Sequence, residues 1–150
     1  MPKSKNEYLY PIDPRNIARI SYDESPAHIE KLKHAVDFIC NEGTPVRAAL
    51  DGTVVDVKQD SELGGENKSF DLVGNYIEIK HANGEYSICE HIQKNGSLVK
   101  IGDKIKAGQK IGLSGKTGWI AHLGAHLHFD VHVYFAQSND YQTVEIRWKK

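Results

Sequence analysis

The stretch His126-Leu127-His128-Phe129-Asp130-Val131-His132-Val133 alternates polar and apolar residues without a break. Successive side chains of a β-strand point to opposite faces. The predicted strand His126–Phe135 therefore carries His126, His128, Asp130 and His132 on one face and Leu127, Phe129, Val131 and Val133 on the other. Two imidazoles side by side on a rigid strand suit metal chemistry: both bind the ion, or one binds and its neighbour serves as an acid or base. For an H-x-H pair taken alone, a polar strand face with solvated histidines is the plainer reading.

Outward from this stretch the two-residue period persists. His34–Cys40 reads as a strand, followed by a turn at Asn41-Glu42-Gly43-Thr44-Pro45. Val46–Leu50 and Thr53–Lys58 flank the hairpin-type turn Asp51-Gly52. Asn75–His81 and Glu85–Ile92 flank Asn83-Gly84, a strong hairpin signal. Ile101–Gly115 holds short strands between glycine turns, and Thr143–Trp148 is a last strand candidate. Gln59–Leu72 and Lys116–Ala125 read as surface loops. Helix periodicity is weak, with at most one turn at His28–Lys33. Many short strands at close spacing predict an all-β fold, an antiparallel sandwich or a partly open barrel. Residues 1–27, with four prolines and one strand candidate at Ile17–Tyr22, read as an N-terminal arm, and 28–150 as a single domain.

The 150 residues suffice for one domain with a core. Nineteen basic residues balance twenty acidic ones, leaving no basic surplus for a nucleic acid or an anionic membrane. The apolar runs are too short to span a bilayer. Met1–Asn6 has a positive flank but no apolar core, so no signal peptide is legible and the sequence alone predicts a cytoplasmic location. Cys40 and Cys89 do not make a disulfide scaffold and read as packed thiols. The eight histidines are more than this length usually carries. Oligomeric state is not legible.

An ordered set of segments then stands out: Val36-Asp37-Phe38, Gly43-Thr44-Pro45-Val46, Asp51-Gly52-Thr53-Val54-Val55, Gly74-Asn75-Tyr76-Ile77, His91-Ile92, Gly102–Gly112, Thr117-Gly118 and His126-Leu127-His128-Phe129. The set resembles the M23 zinc metallopeptidases, the lysostaphin/LytM-type cell-wall endopeptidases, over about residues 28–135. The resemblance implies an antiparallel β fold of duplicated hybrid-motif type with long loops lining a groove. It implies one Zn2+ per chain and hydrolysis of stem or bridge peptides of bacterial peptidoglycan, hence a place outside the cell or in the periplasm. It assigns Asp37 and His128 as zinc ligands and His91 and His126 as catalytic histidines. In the segment that supplies His91 the family's usual tyrosine is replaced by Cys89.

The first zinc ligand departs from the pattern. An H-x-x-x-D spacing needs histidine at position 33, which is Lys33. On a regular strand His34 points away from the face of Asp37. His28, reaching in from the preceding loop, is the preferred candidate, and His34, turned inward by a bulge, the alternative.

In such a site three protein ligands leave one zinc position for water, and two neutral histidines with one carboxylate keep the metal acidic. His91 and His126 would then divide the roles of base and of donor to the oxyanion or leaving amine; the sequence does not divide them. Asn75, Tyr76, Trp119 and His122 are the candidates for the substrate groove. His81 reads as structural, and His132 as lying past the metal's reach. Cys89 shares strand parity with His91 and is expected to face the groove, whereas Cys40 has the opposite parity to Asp37. Two competing readings remain. A zinc-free module of this fold would activate another cell-wall hydrolase. A biotinyl or lipoyl carrier is suggested by Gly102–Gly112, but Asp103-Lys104-Ile105 fits a carrier lysine poorly and the histidines would have no use.

Overall fold

The computed structural model describes residues 3–150. Strands predominate in it: β1 (Lys3–Tyr8), β2 (Arg19–Ser21), β3 (Val36–Ile39), β4 (Pro45–Arg47), β5 (Gly52–Lys58), β6 (Gly64–Gly65), β7 (Asn75–Lys80), β8 (Tyr86–Ser97), β9 (Lys104–Ile105), β10 (Lys110–Ser114), β11 (Gly118–Trp119), β12 (His126–Tyr134), β13 (Tyr141–Thr143) and β14 (Glu145–Trp148). Ten of these join one sheet with the order β2-β3-β12-β8-β7-β5-β9, antiparallel throughout, to which β4, β10 and β13 attach. The expected all-β antiparallel class therefore holds, and the sheet is open rather than a closed barrel. Among the described residues no helix is long and apolar enough to cross a membrane.

Local sequence explains the turns. Asn83 and Gly84 both have left-handed φ, +64° and +72°, and they reverse the chain between β7 and β8 as an Asn-Gly pair should. The central strand β12 lies between β3 and β8. Its apolar residues Leu127, Phe129 and Val131 are fully buried and pack in a core with Phe38, Ile77, Ile92 and the ring of Trp148. This sequence-near alternation pairs residues far apart in the chain: His128 stands opposite Asp37 on one side and Glu90 on the other.

The polar face of β12 is not solvated. His126, His128, Asp130 and His132 are each no more than 4% exposed. Tyr86, Tyr134 and Tyr141 pack around His132 at one end, and loop 116–125 holds His126 at the other. Gly64–Gly65 and Gly118–Trp119 pair in parallel, tying loop 59–74 to loop 116–125. The glycines are what allow it: a Cβ on Gly118 would stand 2.8 Å from the Gly74 Cα.

Within residues 3–27 two strands pair with the rest of the fold. β1 runs parallel to β14, and the buried Glu85 carboxylate accepts hydrogen bonds from the Lys5 and Asn6 amides and the Tyr8 hydroxyl. β2 extends the main sheet beside β3, placing Ser21 opposite Asp37.

Candidate functional site

Asp37 sits at the centre of the polar face, fully buried. The sheet register brings His128 directly across from it, and His126 stands one pair further along. From Ser21 the chain leaves the sheet and returns through residues 22–35, making a 3-10 turn at Glu30–Leu32 before entering β3. That excursion carries His28 back over Asp37. His28 Nδ1–H donates to the Tyr22 carbonyl at 2.8 Å, so its other nitrogen, Nε2, holds a lone pair 3.2 Å from Asp37 Oδ2. His128 Nδ1 lies 3.5 Å from Asp37 Oδ1. His34 does not join this group. It is half-buried, its amide bonds Thr143 Oγ1, and it lines a separate surface cavity with Tyr22, Lys33 and Trp148. The reason is the path of the loop: the turn before β3 delivers the chain with Lys33 exposed and His34 off the Asp37 face.

The donor atoms of His28, Asp37 and His128 lie within 4.8 Å of one another. Among the described residues, His28 Nε2 and both Asp37 oxygens are buried without a hydrogen-bond partner. Buried polar atoms are normally paired, since an orphan costs about 1–3 kcal/mol. Three such atoms converging on one point suit a shared cation. Bonds of about 2.0–2.1 Å to a tetrahedral zinc would place neighbouring ligand atoms about 3.3 Å apart. The separations of 3.2 and 3.5 Å bracket that length. The residues therefore fit zinc. Burial raises the Asp37 pKa; protons on His128 and His28 would outweigh it and hold the carboxyl well below its usual range, the part a bound cation takes when both rings are neutral.

His91 enters by a break in the strand. Its φ is +69°, left-handed and uncommon for a residue with a side chain, and the β7–β8 register shifts at the same point, between Asn75 and Tyr76. The kink brings its ring within 4.6 Å of the His126 ring. It also breaks the parity on which the placement of Cys89 rested. Cys89 does not face the groove: it is 2% exposed and packs in the core with Ile77 and Phe129. The neighbour that does face the site is Glu90, whose Oε2 lies 3.0 Å from His128 Nε2. No regular strand pattern could have found it.

Both remaining histidines are held by main-chain carbonyls. His91 Nδ1–H donates to Thr117 at 2.6 Å and His126 Nδ1–H to Gly124 at 2.8 Å. A carbonyl only accepts, so in each neutral ring Nε2 carries the lone pair. His126 Nε2 is 3.6 Å from Asp37 Oδ1. Burial pushes the His91 pKa down to about 3, helped by His126 and His128, and burial lowers that of His126 as well. Thr117, quoted in the sequence set but given no role there, is a junction. Its hydroxyl donates to the Ile92 carbonyl and accepts from the Asn75 amide, while its carbonyl holds His91.

The groove candidates separate. Asn75 is fully buried and its amide is spent on the Ser61 main chain, so it fastens loop 59–74. Tyr76 lines a cavity of about 200 Å³ beside His128, together with Glu90, Asp130 and Tyr141, its hydroxyl on Asp56. Trp119 lies on β11 with its indole N–H on the Glu66 carbonyl, and His122 is exposed in the following turn. His81 is buried and bonds the Asp51 carbonyl and Ser87, away from the site.

The profile of peptidase family M23 matches residues 31–142. No curated protein matches by sequence. Among solved structures, a zinc containing peptidase from Vibrio cholerae is 29% identical with a TM-score of 0.61, over 84% of this chain and 36% of that one. The chain thus spans only about a third of that peptidase. The catalytic domain of the antimicrobial peptidase lysostaphin from Staphylococcus simulans is 30% identical with a TM-score of 0.59, over 83% of this chain and 87% of that domain. A chain of the SpoIIQ–SpoIIIAH pore forming complex is 25% identical with a TM-score of 0.61, over 87% and 85%. Profile and fold agree, and the chain belongs to peptidase family M23.

Proposed function

We propose that this protein is a zinc-dependent metalloendopeptidase that hydrolyses stem or bridge peptides of bacterial peptidoglycan, acting at the cell wall. The observation that carries the reading is the convergence of unspent donors: His28 Nε2, the Asp37 carboxylate and His128 Nδ1. These three residues would hold one zinc. Zinc bound there supplies an acidified water and polarises the scissile carbonyl. His126, with its Nε2 lone pair turned to the Asp37 side, takes the proton of the attacking water, and the imidazolium so formed delivers it to the leaving amine. His91 has its lone pair at Nε2 too, so it accepts a hydrogen bond from the attacking water or a substrate amide. Both rings are aimed by carbonyls on the glycine-tied loop. The similarity to lysostaphin supports a wall peptide as substrate.

The test is metal content and hydrolysis together. Wild type and His34→Ala should each carry about one zinc per chain and cleave purified peptidoglycan, while His28→Ala and Asp37→Ala should lose both. Hydrolysis unchanged in Asp37→Ala would defeat the proposal. The second reading, a zinc-free module that activates another cell-wall hydrolase, is favoured by lysine at position 33, where the metallopeptidase pattern needs histidine. It predicts no zinc in wild type even when the metal is supplied.

A further inference from the structure

A row of buried polar side chains leads away from His128 along the floor of the groove. His128 Nε2–H donates to Asp130 Oδ2 at 3.2 Å. The other Asp130 oxygen, Oδ1, accepts from His132 Nδ1–H at 2.7 Å. His132 Nε2–H donates to Glu78 Oε2 at 2.7 Å, and the same oxygen accepts from the Tyr134 hydroxyl at 2.5 Å. Asp130, His132 and Glu78 are all at least nine-tenths buried. An ionised carboxylate only accepts, so two carboxylates against one ring require protons on both nitrogens. His132 is thus an imidazolium clamped between Asp130 and Glu78. Tyr86 stacks on its face, with ring planes 11° apart.

We propose that His132 is a positioning residue for His128, a role that rests on His128 being a zinc ligand. Without His132 Nδ1–H, Asp130 Oδ1 would lose its hydrogen bond, and the carboxylate would be free to turn away from His128. Glu90 Oε2 already lies 3.0 Å from the same Nε2, so two carboxylates compete for one N–H. His132 decides this competition for Asp130, which keeps Nε2–H engaged along the strand and Nδ1 facing Asp37. Outer partners of this kind typically change metal affinity 10- to 100-fold.

The experiment measures zinc affinity against a chromophoric chelator, with thermal unfolding of the metal-free proteins alongside. His132→Gln should bind zinc about 10- to 100-fold more weakly than wild type. Glu78→Gln keeps an acceptor for His132 Nε2–H and should stay within about three-fold. A folded His132→Gln protein with wild-type zinc affinity overturns the proposal and leaves the peptidase reading intact. So does a loss in Glu78→Gln as large as in His132→Gln. Wild type that takes up no zinc overturns both. Imidazole nitrogen NMR of the wild-type protein gives a readout that needs no variant. Zinc-loaded protein should show both His132 nitrogens protonated and His128 protonated at Nε2; a neutral His132 ring would defeat the proposal.

Discussion

Replacing Gly118 with alanine should damage catalysis more than folding. Gly118 has φ +86°, and a Cβ there would stand 2.8 Å from the Gly74 Cα and 3.3 Å from His91 Nδ1. The left-handed backbone alone costs an alanine about 1–2 kcal/mol. The contact with Gly74 is backbone against Cβ, with no flexible end to yield, so overpacking adds about 1–3 kcal/mol. The sum is about 2–5 kcal/mol. For a chain of 150 residues each kcal/mol lowers Tm by about 2–4 °C, so the drop should be roughly 4–20 °C. What yields is the loop pairing of β6 with β11, and the loop carries the Thr117 carbonyl that aims His91. Hydrolysis of wall peptide should therefore fall by about 100-fold at temperatures where the variant is folded, since misplacing a positioning group by about 1 Å costs about that much. Zinc content should persist, because His28, Asp37 and His128 come from other segments. Gly102 is the control: its φ is +96° but a Cβ meets nothing within 4 Å, so Gly102→Ala should cost only the backbone strain and leave activity alone. A Gly118→Ala protein with wild-type Tm and activity, or one whose activity follows Gly102→Ala, would refute the reasoning.

Two further outcomes follow from burial and charge. Phe129→Ala removes a fully buried ring packed on Phe38 and Trp148, and should lower stability by about 3–5 kcal/mol in chemical unfolding; less than 1 kcal/mol would place that ring outside the core. Burial disfavours the His132 cation, but Asp130 and Glu78 outweigh it and raise its pKa from 6.5 to about 9. Folding therefore favours the protonated ring: its stabilisation is complete below about pH 6.5 and fades as pH rises through about 9. Unfolding of the chelated protein should show a loss across that window which His132→Gln lacks, and an identical pH profile in the two proteins would contradict the assignment.

The alternation of residues 126–133 is enough to put Leu127, Phe129 and Val131 in a core and two histidines side by side, because side-chain direction in a strand follows from backbone geometry alone. Asn83-Gly84 is likewise local, since few dipeptides accept two left-handed residues. The resemblance to M23 peptidases is carried by short segments whose order survives in sequence, and the family profile covers the same region. Those features need no knowledge of what lies across the sheet.

Three things depended on the folded chain. The choice between His28 and His34 turns on the course of residues 22–35, a loop whose path is set by the Tyr22 carbonyl, a 3-10 turn and β2 pairing, none of them periodic. The facing of Cys89 and Glu90 turns on the left-handed residue His91, which interrupts the two-residue period in a way that no pattern of hydrophobicity records. The burial of the polar face of β12 turns on residues distant in sequence, Tyr86 and Tyr141 against His132 and the loop carbonyl of Gly124 on His126. Strand character is a property of near neighbours, but a site is a meeting of residues distant in sequence: Asp37 finds His128 only because β3 and β12 pair in one register, and His91 only because a loop holds it there.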